Sequence, residues 1–209
     1  SQSDKWLNAV LYLDPHYNNQ VCKGASKGCK QSCLINSGRM IMESAVNARQ
    51  NRTAYYFNDR EMFTMTLQGE IAALLYKATK QGKRLAMRLN GTSDLDWSTI
   101  YKTFPTVQFY EYTKRPDLAK QLHKIENVHI TFSKHENHSE SNVKHLLDSG
   151  VNVAVVFNKE VPTKYINITV IDGDKHDRRF EDTQGRIIGL KLKGTNKVKQ
   201  LAIDTGFAV

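Results

Sequence analysis

Cys22, Cys29 and Cys33 are the only cysteines among 209 residues. They fall in one Gly- and Lys-rich stretch, VCKGASKGCKQSCL, at residues 21–34. Three thiols are an odd number for a disulfide framework and one short of the usual structural zinc set. Thiolates are also the ligands that iron–sulfur clusters require. Three of them hold three corners of a [4Fe–4S] cubane and leave the fourth iron open to a small molecule. Cys29 and Cys33 are four apart, so on one helical turn they face the same way. Cys22 precedes Cys29 by seven residues, and Gly24 and Gly28 let the chain between them fold back. Lys23, Lys27 and Lys30 are expected to lower the thiol pKa values and offset cluster charge. Backbone N–H groups of the Gly-rich turn are expected to hydrogen-bond the sulfides. Zinc held by the three cysteines with His16 or a distant histidine is the rival reading, and three unligated cysteines the plainest.

The elements that must position these thiols follow from hydrophobic patterning. Short β-branched and aromatic runs predict strands over residues 7–13, 84–89, 107–112, 128–132, 151–157, 166–171 and 187–192. Helical patterns lie between them. Asn58 and Glu61 form a capping-box pattern ahead of Met62, Met65, Ile71, Leu74, Leu75 and Ala78, with Gly82 as the stop. Further helices are expected over 40–57, 117–124 and 139–148, the last closed by Gly150. Strands alternating with helices make parallel β/α units. The expected fold is α/β: a partial β/α barrel with parallel strands and the cysteine loop after the first. A doubly wound open sheet is the alternative. The chain is one domain, 1–209, with a cluster-binding loop at about 14–39.

Polar residues gather just after the strands, where loops of a β/α fold converge on one rim. Arg88, Asn90, Ser93, Asp94, Tyr112, Lys114, Ser133, Asn137, Asp172 and Asp174 are therefore the candidate small-ligand rim. Arg88 is expected to point inward from its strand toward a carboxylate or phosphate, with Asn90 and Asp94 beside it. Each has an ordinary alternative. Arg88 pairs with an acidic barrel residue, Asn90 shapes a turn, and Ser93 or Asp94 caps the helix beginning near Trp97. His135, His138 and His176 are expected in solvent. Asp172, Asp174 and Asp177 resemble part of a calcium loop, but the remaining ligands and closing glutamate are missing.

The formal net charge of +9 and pI of about 9.4 favour polyanionic partners such as nucleic acid, or a solvated basic surface. No helix-turn-helix, RNA-recognition or zinc-finger pattern is present. No apolar run approaches the roughly 20 residues that span a membrane. Residues 1–5 show no apolar signal core. The reading is a cytoplasmic protein, where clustered thiols bind metal or do redox chemistry more often than they cross-link.

Three cysteines in the loop after the first strand resemble the radical SAM enzymes, partial β/α barrels whose open iron binds S-adenosylmethionine. That resemblance is topological. Their usual spacing is C-x3-C-x2-C, against C-x6-C-x3-C here, and no GGE-like motif follows the second strand. The chain is also similar, along most of its length, to the gene-product-88-like family of bacteriophage and plasmid proteins. The resemblance rests on ASKGCKQSCL at 25–34, Gly38-Arg39, Ala48-Arg49, Arg52-Thr53, RLNGTSD at 88–94, FYEYTK at 109–114, TFS at 131–133, NVAVVF at 152–157, IDGD at 171–174 and Gly189-Leu190. It implies a phage protein acting in the bacterial host cytoplasm and imports no activity. Two functions follow from the residues. One is an enzyme whose open iron supports redox, radical or Lewis-acid chemistry. The other is a metal-stabilised protein that binds nucleic acid or a host protein.

Overall fold

The computed structural model describes residues 5–209; residues 1–4, on which most of the signal-sequence reading falls, lie outside the described residues. Strand β1 (Trp6–Val10) leads into a long loop holding helix α1 (Lys27–Gln31) and two 3-10 turns, Leu34–Asn36 and Gly38–Ile41. Helices α2 (Glu43–Asn58) and α3 (Arg60–Lys80) follow. Then come β2 (Arg84–Arg88), α4 (Ser98–Thr103), β3 (Gln108–Thr113), α5 (Pro116–Leu122), β4 (Val128–Ser133), α6 (Glu140–Asp148) and β5 (Asn152–Phe157). The chain ends with β6 (Lys164–Tyr165), β7 (Ile168–Asp172), a 3-10 turn at Arg179–Glu181, β8 (Ile187–Lys191) and α7 (Asn196–Asp204).

The strand order is β1-β2-β3-β4-β5-β8-β7-β6, parallel throughout except for β6, which runs antiparallel to β7. From β1 to β5 each strand lies beside its predecessor in sequence, whereas a doubly wound sheet reverses direction at a switch point. The sheet ends at β1 and β6 and is not closed. The fold is thus α/β with an eight-stranded, mostly parallel sheet.

Several boundaries differ from those the sequence predicts. The cap of α3 is Asp59, whose carboxylate accepts the Met62 N–H at 3.0 Å, while Asn58 closes α2. Helix α2 starts at Glu43 because Gly38–Ile41 is a 3-10 turn. Asp96 serves the start of α4, accepting the Ser98 N–H at 2.9 Å, so neither Ser93 nor Asp94 caps it. The run at 166–171 splits. Ile166 and Asn167 have φ of 46° and 64° and make the tight β6–β7 turn, and the strand begins at Ile168.

Alternation along the strands divides the sheet into two faces. Leu85, Met87, Leu89, Phe109, Ile130, Phe132, Val153 and Val155 share a buried cluster with Phe63, Leu67 and Ile71 of α3, Leu118 and Leu122 of α5, and Val143 and Leu146 of α6. The intervening positions are more polar and include Arg88, Tyr110, Tyr112, His129, Thr131 and Ser133. The turn around Arg179 packs against β3 and β4. Phe180 stacks edge-on to Trp6 and Tyr110, with ring centroids 4.8 and 5.5 Å away. Arg179, fully buried, pairs with Asp182 at 3.2 Å and donates to the Gly173 carbonyl at 3.1 Å.

Candidate functional site

The cysteine loop is tied down at both ends and along its length. Near its start, the Asp14 N–H donates to Thr53 Oγ1 of α2 at 2.7 Å. At its far end, buried Arg49 of the same helix donates to the Met40 carbonyl at 2.9 Å. The Asp94 N–H donates to the Val21 carbonyl at 2.8 Å, joining the loop to the one after β2. The loop after β4 supplies the firmest anchor. Glu136 accepts the Ser26 hydroxyl at 2.7 Å and the Gly28 N–H at 2.8 Å, and Ser26 in turn caps α1 by accepting the Cys29 N–H at 3.1 Å. Gly28 is required for want of space. A Cβ there would lie 2.6 Å from Thr205 Oγ1 and 2.8 Å from Phe207 Cβ, because the C-terminal segment lies directly on α1.

The three thiols line one cavity of about 280 Å³. Arg88, Asn90, Ser93, Asp94, Tyr112, Lys114, Ser133 and Asp174 line it with them. Two expected rim residues are not part of its lining. Asn137 is exposed, its N–H donating to His135 Nδ1 at 3.2 Å, and Asp172 faces an adjoining open concavity. The cavity also takes in Asp177, from the partial calcium-loop pattern, and Thr92, Thr113, Lys191, Lys193 and Phe207, which are not among the expected rim residues. The polar end of β3 and the lysines at and beyond the end of β8 were a usable signal for Thr113 and Lys193. Phe207 gave none, since it reaches the site through α7. Of the histidines expected in solvent, His135 is buried, its ring centroid 3.7 Å from that of His138, and His176 approaches Asp182 at 3.6 Å.

Several rim side chains hold the loops in shape. Asn90 Oδ1 accepts from Ser93 Oγ at 2.8 Å, from the Leu95 N–H at 3.0 Å and from Trp97 Nε1 at 3.2 Å, while its amide donates to the Leu95 carbonyl at 2.9 Å. Asn90 and Ser93 therefore shape the loop. Among the described residues Arg88 forms no ion pair with an acidic residue of the sheet. Its guanidinium lies 4.5 Å over the Tyr112 ring and donates to the carbonyls of Asn90 at 3.1 Å and Gly91 at 3.4 Å. Beneath this loop, fully buried Glu111 accepts the N–H groups of Leu89 and Asn90 at 2.6 and 2.9 Å. Asp94 accepts Thr113 Oγ1 at 2.6 Å and the Lys114 N–H at 3.1 Å. Lys114 Nζ donates to Ser133 Oγ at 2.7 Å and lies 5.5 Å from the Phe207 ring centroid.

The electrostatics of the thiols reverse an expectation. Burial, with the Asp94 carboxylate next in weight, pushes Cys22 up to about 12, and burial also raises Cys33. Lys23, Lys27 and Lys30 are exposed, and none of them is a leading influence on Cys22 or Cys33. The cation that opposes the rise is Lys114, from the loop after β3. Burial raises the pKa of Asp94 too, against the hydrogen bonds from Thr113 and Lys114. Without a bound cation Cys22 is a neutral thiol, and its Sγ sits 3.6 Å from the Thr92 carbonyl.

Among the described residues no three His, Cys, Asp or Glu side chains gather closely enough to hold a single metal ion. Thiolates around one tetrahedral zinc at ~2.3 Å lie roughly 3.8 Å apart. A cubane spreads its thiolates wider, one to each iron corner. No histidine lines the cavity among the described residues, and the chain has no further cysteine. No helix among the described residues is long and apolar enough to cross a membrane. No curated protein and no solved structure matches the chain. The family model described as Gene product 88 matches residues 1–209, and the chain belongs to that family.

Proposed function

We propose that this member of the gene product 88 family is an iron–sulfur protein whose Cys22, Cys29 and Cys33 hold three irons of a [4Fe–4S] cluster, the fourth facing the cavity. The observation that carries the reading is the lining of that cavity, three thiols with no histidine and no fourth cysteine among the described residues. Such a donor set suits a cluster with an open corner better than a closed four-ligand zinc site. The run of strands from β1 to β5 without reversal is read as the wall of an incomplete barrel, with its loops converging on the cluster. When bound, the cluster supplies redox or Lewis-acid chemistry at its open iron.

The chain's own residues determine what reaches that corner. Lys114 is held by Ser133 and offers positive charge, and Asp94 places a carboxylate beside Cys22. Phe207 and Leu34 add apolar wall. A cavity of about 280 Å³ is at or below the small end of ligand pockets, roughly 300–1,000 Å³. A ligand the size of S-adenosylmethionine therefore extends through the mouth, and a compact ligand fits more fully. We place the protein in the cytoplasm of a bacterial host, where such thiols stay reduced.

Anaerobic purification or reconstitution tests the proposal. The protein is expected to be brown, with iron and sulfide bound in similar amounts, and each of Cys22→Ala, Cys29→Ala and Cys33→Ala is expected to lower both sharply. Spectra of the reduced cluster should respond to at least one small carboxylate or to S-adenosylmethionine. A colourless protein with stoichiometric zinc overturns the reading. A cluster with a fourth protein ligand on iron overturns the open corner and moves the assignment to a metal-stabilised binding protein.

A further inference from the structure

The cavity shares a border with a second, open concavity lined by Lys175, Lys191, Lys193, Lys199, Asp172 and Asp174. Asp174, Lys191, Leu192 and Lys193 belong to both, so the concavity is a lip of the cysteine cavity. Its carboxylates are occupied within the lip. Asp172 accepts the Asp174 N–H at 3.0 Å. Asp174 accepts the Lys191 N–H at 2.8 Å on one oxygen and pairs with Lys193 Nζ at 2.7 Å on the other. Lys191 Nζ pairs with exposed Glu160 at 2.7 Å. Lys175 and Lys199 make no ion pair among the described residues and outnumber Asp172, the one lip carboxylate without an ammonium partner, so the lip is net positive.

We propose that this lip is a phosphate subsite, holding the phosphate of the ligand whose remainder enters the cysteine cavity. The donor chemistry selects the group. Planar carboxylates are matched by the forked guanidinium of arginine, and the lip has none. Ammonium groups are compact point charges that suit a tetrahedral oxyanion carrying up to two charges. Exposed Lys23, Lys27 and Lys30 lie on and before α1, which packs against α7, the helix that carries Lys199. A mononucleotide needs only the lip, whereas a nucleic-acid strand would continue from the lip along α1. The link to the cavity rests on the cluster reading, and phosphate binding at the lip does not.

The test uses the full chain, metal-free and loaded, with a fluorescent single-stranded 12-mer and with pyrophosphate as competitor. Lys175→Ala/Lys199→Ala is expected to weaken 12-mer binding at least tenfold. It should also flatten the dependence of log K on log salt by about 1.4, since each lost phosphate contact on a single strand removes roughly 0.7. Lys102→Ala/Lys124→Ala, placed on helix ends that lead into strands at the opposite rim, serves as the control and is expected to change neither. Pyrophosphate binding, read directly by calorimetry, that survives in Lys23→Ala/Lys27→Ala/Lys30→Ala while 12-mer binding is lost supports a lip for phosphate and a strand as its source. Equal loss in the control pair, or unchanged binding in the lip variant, overturns the proposal. Iron and sulfide content of the lip variant and phosphate binding by Cys22→Ala keep the two readings apart, because each is scored where the other is disabled.

Discussion

Replacing Glu136 by Ala removes both oxygens that hold the start of α1, the acceptors of Ser26 Oγ and the Gly28 N–H. Helix α1 has only five residues and cannot sustain itself, so its order depends on such contacts. Hydrogen bonds to a charged group contribute about 1.5–3 kcal/mol each when buried. Glu136 is only partly buried and water replaces part of this, so the pair is set at about 2 kcal/mol, or roughly 30-fold in an equilibrium. Hydrogen exchange reads the change directly. The amides of Lys30 and Ser32 close α1 onto the carbonyls of Ser26 and Gly28 at 3.0 and 2.9 Å. Both should exchange roughly 30-fold faster in Glu136→Ala at neutral pH, while amides in β3 and β4 stay unchanged. Acid supplies the cross-check. Burial works to raise the Glu136 pKa, but the hydrogen bonds from Ser26 and Gly28 outweigh it and hold the carboxyl below its ordinary 4.5. A depressed folded-state pKa gives stabilisation that is complete above the unfolded value and lost as pH falls through the folded one. The wild type and the variant should therefore converge as pH falls below the ordinary 4.5 and through the depressed folded-state value. Equal exchange at neutral pH, or a difference that persists in acid, would refute the anchoring role.

Two further perturbations bear on the buried groups. In metal-free protein, Cys22 at about 12 against an ordinary 9.0 carries roughly a thousandfold less thiolate at pH 8. Higher intrinsic nucleophilicity restores some twentyfold, so iodoacetamide should label Cys22 about 50-fold more slowly than a peptide thiol, and mass spectrometry of the labelled peptide checks this. Labelling at the peptide rate would refute the burial argument. Burial raises Glu111 from 4.5 to about 7, against the N–H groups of Leu89 and Asn90 that favour its charged form. A raised folded-state pKa in an acid means the native state keeps its proton longer. Stability should fall as pH rises from 4.5 to 7, by about 3 kcal/mol. Denaturant melts across that range should show the slope, and Glu111→Gln should remove it.

The legible part of the fold is the part built from local pattern. Apolar runs such as 84–89 and 151–157 lie over β2 and β5 because a parallel sheet buried on its helix-facing side repeats that pattern in every strand. The illegible parts are short and depend on distant partners. Helix α1 reads KGCKQ, with no apolar face, and is capped by Ser26, which is held by Glu136, 110 residues away. Strand β6 has two residues, and Ile166 at φ 46° is a β-branched residue in a conformation that sequence patterns assign to glycine or asparagine. Helix α7 hides its apolar positions, Val198, Leu201 and Ala202, among lysines and polar residues.

The site divides along the same line. Three cysteines in twelve residues stand out because soft ligands are rare and their chemistry is narrow. Strand-end loops point to one rim because parallel strands share a direction, and that rule alone gathers Arg88, Asp94, Tyr112, Lys114, Ser133 and Asp174 around the thiols. Sequence spacing did not reveal which charges act on them. Lys23, Lys27 and Lys30 are nearest in sequence but project into water, where a charge is screened by a high dielectric. Asp94 and Lys114 are some seventy to ninety residues distant in sequence from Cys22, yet they act on it through the low-dielectric wall of the cavity. Covalent neighbours can thus be weaker electrostatic partners than side chains brought in by the fold. It follows that Asp94→Asn should lower the Cys22 pKa and speed its alkylation, whereas Lys23→Ala should leave the rate unchanged. The opposite order would show that the segment's own lysines control the thiol after all.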